Sequence, residues 1–411
     1  MHTNFPSITR RFLLLGAMLG PAAAQYVYPS YPKPGEPRHP DADNSRRIIA
    51  APAKDYWPFS GISGPGAPVS EETARGGWVS GLSDVRYKGP VPRSYPTAAW
   101  GNADAGTAVT NGLLPPLKPV WDVHIRDTII CPGGDGFYYM TGSTGDNIWA
   151  FNDGIELWRS RNLKSWEYRG LVWSIERDGT WEKAWTMRAG VPFRAIWAPE
   201  LHFIAGQYLI CHSISGRGIG VLRSVSGKAE GPYRPILSPD EPIKASIDAT
   251  LFEDDDGRIY LTYGSAEQIR EIKRDLSGFA GDWQPLIFDE PDRNPDHHRS
   301  GEERDLGRLG YEGATLFKAN GRYYLGACDR FYGRYSFAFA TSDKLLGPYR
   351  GRHEGPASGG GGNLFRDFSG RWWQTWFGND DQMPFREKPA LLAVEFAADG
   401  KVIVAKEQPL L

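Results

Sequence analysis

Cysteine is scarce: Cys131, Cys211 and Cys328 are the only three in a chain of 411 residues. An odd number cannot pair fully, so no disulfide framework is expected and no cysteine metal site. All three fall in predicted strands and read as small buried hydrophobes. Charge of one sign is also missing. Lys plus Arg is 47 and Asp plus Glu is 49, a net charge of −2, which gives no support for a nucleic-acid partner. Long hydrophobic runs are lacking too. The apolar stretch Phe12–Leu19 is too short to cross a bilayer as a helix, so no membrane span is expected in the mature chain.

That short stretch has another reading. Arg10-Arg11 precede it and Ala22-Ala23-Ala24 come after it, so residues 1–24 read as a signal peptide, with a twin-arginine or a general secretory character. The expected address is periplasmic or extracellular. Residues 25–119 are rich in Pro, Gly, Ala and Ser, with scattered anchors Trp57, Trp78 and Trp100. They read as a linker and an irregular arm lying on the C-terminal repeat region.

From residue 120 to 411 the texture changes to a repeat. The stretch Ser246–Gly264, SIDATLFEDDDGRIYLTYG, reads as two strands joined at Asp256-Gly257. Similar hairpins turn at Gly136, Gly206, Gly321 and Gly370. Each is followed by a second apolar hairpin, giving four strands per unit. Five such units predict an all-β fold, a five-bladed β-propeller. Most of the 15 Trp, 19 Tyr and 19 Phe then belong to sheet cores.

Nine residues before the turn glycines stand Asp127, Trp197, Asp248, Glu312 and Gly361. In a propeller the first strand of each blade lines the axis, so one offset means one height. Three carboxylates and a tryptophan are expected at one mouth of the channel, on the face with the long connections. Like charges brought together raise one another's pKa, which suits an acid and a base for glycosidic bond hydrolysis. Trp197 offers a flat wall for a sugar, and His124 and Arg330 are candidate substrate contacts, with Asp122 nearby. Glu200 reads as a structural acid. Asp254-Asp255-Asp256 reads as a solvated turn without calcium-loop spacing, and His297-His298 as a charged loop, so no metal ligands are assigned.

The repeat, with WAPEL (Trp197–Leu201), RDTII (Arg126–Ile130), SIDATLF (Ser246–Phe252) and YEGATLFK (Tyr311–Lys318), resembles glycoside hydrolase family 43 over roughly residues 120–411. The resemblance implies a five-bladed propeller that hydrolyses arabinose-, xylose- or galactose-containing oligosaccharides or polysaccharides with inversion. It implies Asp127 as general base, Asp248 as the orienting and pKa-tuning acid, and Glu312 as general acid. Members often carry a His in a Gly-His context at the start of the fifth inner strand, near an axial ion or water. Here that position is Gly361, so an axial calcium lacks that ligand and no cofactor is required. The alternatives are a non-catalytic carbohydrate-binding propeller, a propeller fructosidase and a propeller phosphorylase. The fructosidase would need an Asn-Asp-Pro-Asn opening, which is missing, and the phosphorylase a basic phosphate pocket. Oligomeric state is not legible.

Overall fold

The computed structural model of the chain describes residues 120, 125–144, 152–184, 186–188, 191–289, 309–331, 334–377 and 388–409. The expected signal peptide and arm, His124, Asp122 and His297-His298 lie outside the described residues.

Alternating apolar residues and tight turns give five four-stranded antiparallel sheets, each using consecutive strands in order. Blade 1 is Arg126–Pro132, Tyr138–Ser143, Gly154–Ser160 and Glu167–Ser174. Blade 2 is Ile196–Ile204, Gln207–Ile214, Gly218–Ser224 and Tyr233–Ile236. Blade 3 is Thr250–Glu253, Ile259–Thr262, Gln268–Ile272 and Gln284–Pro285. Blade 4 is Glu312–Ala319, Arg322–Phe331, Arg334–Ser342 and Arg350–Glu354, and blade 5 is Leu364–Arg366, Trp372–Trp376, Ala390–Phe396 and Val402–Val404. The fold is the five-bladed β-propeller expected, with almost no helix among the described residues.

The core is divided. Successive side chains of a strand point to opposite sheet faces, so each blade sends alternate residues to each neighbour. Tyr208 and Ile210 of blade 2 pack with Leu157 and Trp173 of blade 1. Leu209 and Cys211 of the same strand pack with Leu251 and Leu261 of blade 3. Equivalent cores join blades 3 and 4 around Phe252 and Leu325, and blades 4 and 5 around Phe317 and Phe339. Trp158 and Trp373 close blade 5 onto blade 1. That last junction is also hydrogen-bonded. The Asn363 amide accepts from Ile130 N at 3.0 Å and donates to Ile130 O at 3.0 Å. Just before blade 1, Val120 N donates to Pro389 O of blade 5 at 2.8 Å.

The three cysteines are buried and carry free thiols. Burial pushes the Cys131 thiol up to about 12, so it behaves as the inert hydrophobe expected. The Asp254 turn differs from expectation. Asp254 is buried, accepting from Tyr323 Oη at 2.6 Å and Lys318 Nζ at 3.2 Å. It ties blade 3 to blade 4 instead of facing solvent.

Candidate active site

The inner strands share a backbone device that places the site. Asp127, Ala198, Asp248, Gly313 and Gly361 all have left-handed backbone, with φ of 52°, 43°, 53°, 66° and 82°. The strand register slips at this point in blades 1, 2 and 4, as at a β-bulge. All five residues line one axial cavity of about 30 Å³, together with Ile129, Glu200 and Tyr335.

The single sequence offset needs a correction here. Blades 1, 3 and 5 turn through long loops, Pro132 pairing Tyr138, Glu253 pairing Ile259 and Arg366 pairing Trp372. Blades 2 and 4 turn through two residues, Ala205-Gly206 and Asn320-Gly321. Their inner strands are one residue longer, so a count from the turn glycine slips by one. Ala198 and Gly313 are the true counterparts of Asp127 and Asp248. Trp197 and Glu312 are the counterparts of Arg126. The bulge still brings Glu312 to its neighbours.

Neighbouring blades lock these residues through a relay. Ser143 Oγ of blade 1 accepts from Ala198 N at 2.8 Å, and Ser213 Oγ of blade 2 accepts from Asp248 N at 3.0 Å. Asp248 Oδ2 accepts from Gly313 N at 2.8 Å, and Cys328 Sγ accepts from Gly361 N at 3.0 Å. Gly313 is required twice over: its φ is +66°, and an added Cβ would run into the Cys328 sulfur.

The three predicted acids come together. Burial, then Glu312, then Asp127 push the Asp248 carboxyl well above the usual carboxylate range. The Gly313 N–H and Arg126 pull partly the other way. Asp127 accepts from Ser143 Oγ at 2.8 Å and faces Arg126 Nε at 3.7 Å. Glu312 is buried and accepts from Tyr335 Oη at 2.8 Å. Trp197 is 7 % exposed, one residue before the left-handed Ala198. Arg330 lies in the second strand of blade 4, opposite Tyr335.

Three participants escape the sequence reading. Glu200 lines the cavity, and burial pushes its carboxyl up to about 8, with a Thr250 hydrogen bond opposing and Asp248 adding. His202 Nε2 is 3.5 Å away, but burial lowers His202 to about 3, so this neutral ring makes no ion pair at neutral pH. Counting two residues from Ala198, as Ile129 stands two from Asp127, finds Glu200. Tyr335 and Arg126 are the others. Tyr335 gives no signal, because its strand is remote from the repeat motif. Arg126 is visible only as the residue before the first acid.

A cluster of carboxylates at the axis of five blades, one of them pushed toward its neutral form by its neighbours, brings proton donors and acceptors to one place. Sequence comparison agrees with that chemistry. The profile of Glycosyl hydrolases family 43 matches residues 116–402. The chain belongs to glycosyl hydrolase family 43. Its family-43 relatives include the beta-D-galactofuranosidase xynD of Aspergillus niger, 32 % identical over 286 residues, spanning 65 % of this chain and 74 % of the relative. The extracellular exo-alpha-(1->5)-L-arabinofuranosidase ArbA of Cellvibrio japonicus is 23 % identical over 63 % of this chain and 77 % of its own. In three dimensions the fold matches an endo-1,4-beta-xylanase from Bacteroides thetaiotaomicron with a TM-score of 0.51 at 22 % identity, over 71 % of this chain and 97 % of that one. This family-43 chain is a glycosidase that hydrolyses O-glycosyl compounds. No helix among the described residues is long and apolar enough to cross a membrane.

Proposed function

We propose that the protein is an exported glycosidase that hydrolyses arabinose-, xylose- or galactose-type glycans, galactofuranosides among them, with inversion at the anomeric carbon. The observation that carries this reading is the unequal environment of the acids. Asp127 has a hydroxyl donor and a guanidinium beside it, which favour its ionised form. Asp248 is pushed toward its neutral form by burial and by the charges of Glu312 and Asp127.

In the proposed reaction Asp127 takes a proton from water as the water oxygen bonds to the anomeric carbon. Glu312 gives its proton to the departing glycosidic oxygen from the other side. Afterwards Asp127 is protonated and Glu312 ionised, and exchange with solvent restores both. Asp248 orients Glu312 through the Gly313 backbone, and the mutual repulsion of the two carboxylates keeps one proton between them for the departing oxygen. Trp197, His124 and Arg330 contact the sugar in this reading. The galactofuranosidase, arabinofuranosidase and xylosidase names of its relatives support furanosides and xylosides as the substrates to try first. Residues 1–24 direct export, residues 25–119 form the arm, and the extracellular relatives support that address.

The test is turnover of aryl arabinofuranoside, galactofuranoside and xyloside. Glu312→Gln should lower kcat/KM about 10²–10⁴-fold with the fold intact by circular dichroism. Proton NMR of the first product should show the anomer opposite to the substrate's. Retained configuration, or full activity in Glu312→Gln, overturns the assignment.

A further inference from the structure

The family resemblance brings with it an axial ion beside a histidine of the fifth inner strand. The residues here do not fit one. A Cβ at Gly361 would lie 2.5 Å from the Phe377 ring and 3.2 Å from the Tyr335 ring. The side chain that would approach the axis from blade 5 is displaced by a phenylalanine. The cavity, about 30 Å³, has room for about two waters. Among the described residues no three His, Cys, Asp or Glu are grouped to hold a metal.

The site holds a different cation. Arg126 is 3 % exposed, its Nε lies 3.7 Å from Asp127 Oδ1, and its guanidinium carbon sits 5.1 Å from the centre of the Phe377 ring. It occupies in blade 1 the position that Glu312 occupies in blade 4. A guanidinium keeps its charge at any working pH and is only weakly hydrated, so it suits a buried place against an aromatic face. The two departures therefore belong together: Gly361 makes room for Phe377, and Phe377 seats Arg126.

We propose that Arg126, seated on Phe377, is the built-in cation of the axial site, taking the place of a metal ion, and that it positions Asp127 and holds it ionised. This rests on the reading of Asp127 as the base. Among the described residues, the groups around Asp127 include Arg126 on its own strand, the Ser143 hydroxyl on the next, Glu200 from blade 2, Asp248 from blade 3, and Glu312 and Tyr335 from blade 4. Among the described residues of that set Arg126 supplies a fixed positive charge. Removing it takes an attraction for the carboxylate out of a set rich in acids, so the Asp127 carboxyl must titrate at higher pH. The low-pH limb of kcat/KM, set by the base, must move up with it.

The experiment has one arm that needs no turnover. Aspartate-labelled protein is titrated by carbon-13 NMR, with Asp127 assigned from Asp127→Asn, in wild type, Arg126→Gln and Arg126→Lys. The Asp127 midpoint is expected to rise by at least one pH unit in Arg126→Gln and to return most of the way in Arg126→Lys. Phe377→Leu, which keeps the charge but removes its seat, gives a smaller rise and serves if Arg126→Gln does not fold. Purified wild type is expected to carry less than a tenth of an equivalent of metal by mass spectrometry. Its melting temperature and activity should be unchanged by EDTA or added calcium. An unmoved Asp127 midpoint, or a stoichiometric metal whose removal lowers the melting temperature, overturns the proposal. A midpoint that moves while no glycoside is cleaved would instead sink the catalytic reading and leave the charge assignment standing.

Discussion

Asp248 shows how one residue can be costly to the fold and useful to the site. Its carboxyl is raised well above the ordinary range of an aspartate by burial and by two neighbouring acids. For an acid raised on folding, the stability it contributes is complete below its unfolded pKa, about 3.9, and is lost as pH climbs toward the folded value. Glu200, raised to about 8, acts in the same sense over the window from its ordinary value near 4.5 up to about 8. Asp248→Asn keeps an oxygen for the Gly313 N–H and removes the charge. Its melting temperature should exceed the wild type's by a few degrees at pH 7, the gap closing toward pH 4, while turnover is lost. Calorimetry across that range checks it; a variant less stable than wild type at pH 7 contradicts the sign.

At the scale of the strand, the left-handed residue is the organising feature. Aspartate and glycine tolerate that conformation, and four of the five blades use them. Blade 2 uses Ala198, at φ 43°. A non-glycine residue there costs roughly 1–2 kcal/mol, and glycine gives back about 0.5–1 through the unfolded chain. Ala198→Gly should therefore stabilise by about 0.5–1 kcal/mol in urea unfolding. The same feature explains how much was legible in the chain. The hairpins, the five units and the three acids are written in side-chain alternation and turn glycines, so they could be read. The bulge is a backbone event set by loop length against strand length. A two-residue turn at Ala205-Gly206 and a longer one at Asp254–Gly257 look alike when aligned on glycine. That hid Glu200 behind Trp197 and hid the equivalence of Arg126 with Glu312. Tyr335 reaches Glu312 from a third strand, a pairing that no local pattern encodes.

For the whole molecule, the ring has no single core but five, and it closes where blade 5 meets blade 1. Asn363 makes that closure specific, standing in for a strand by bonding both the N–H and the C=O of Ile130. Thr375 Oγ1 adds a bond to Thr128 O at 2.7 Å. Asn363→Ala leaves a buried donor and a buried acceptor without partners, at about 1–3 kcal/mol for each group so exposed. Urea unfolding should show a loss of at least about 2 kcal/mol on that basis. Amide exchange should rise first along Arg126–Pro132. A loss confined to the blade 5 hairpin would mean that the ring does not depend on this amide.

The backbone relay between blades has one further consequence. Three of its four links are made by groups that transfer no proton in the proposed reaction, two serine hydroxyls and a thiol. The fourth is made by Asp248, whose oxygen holds the strand that presents Glu312. In the proposed reaction that oxygen is masonry and chemistry at once, so a substitution at Asp248 disturbs the strand and the acid together.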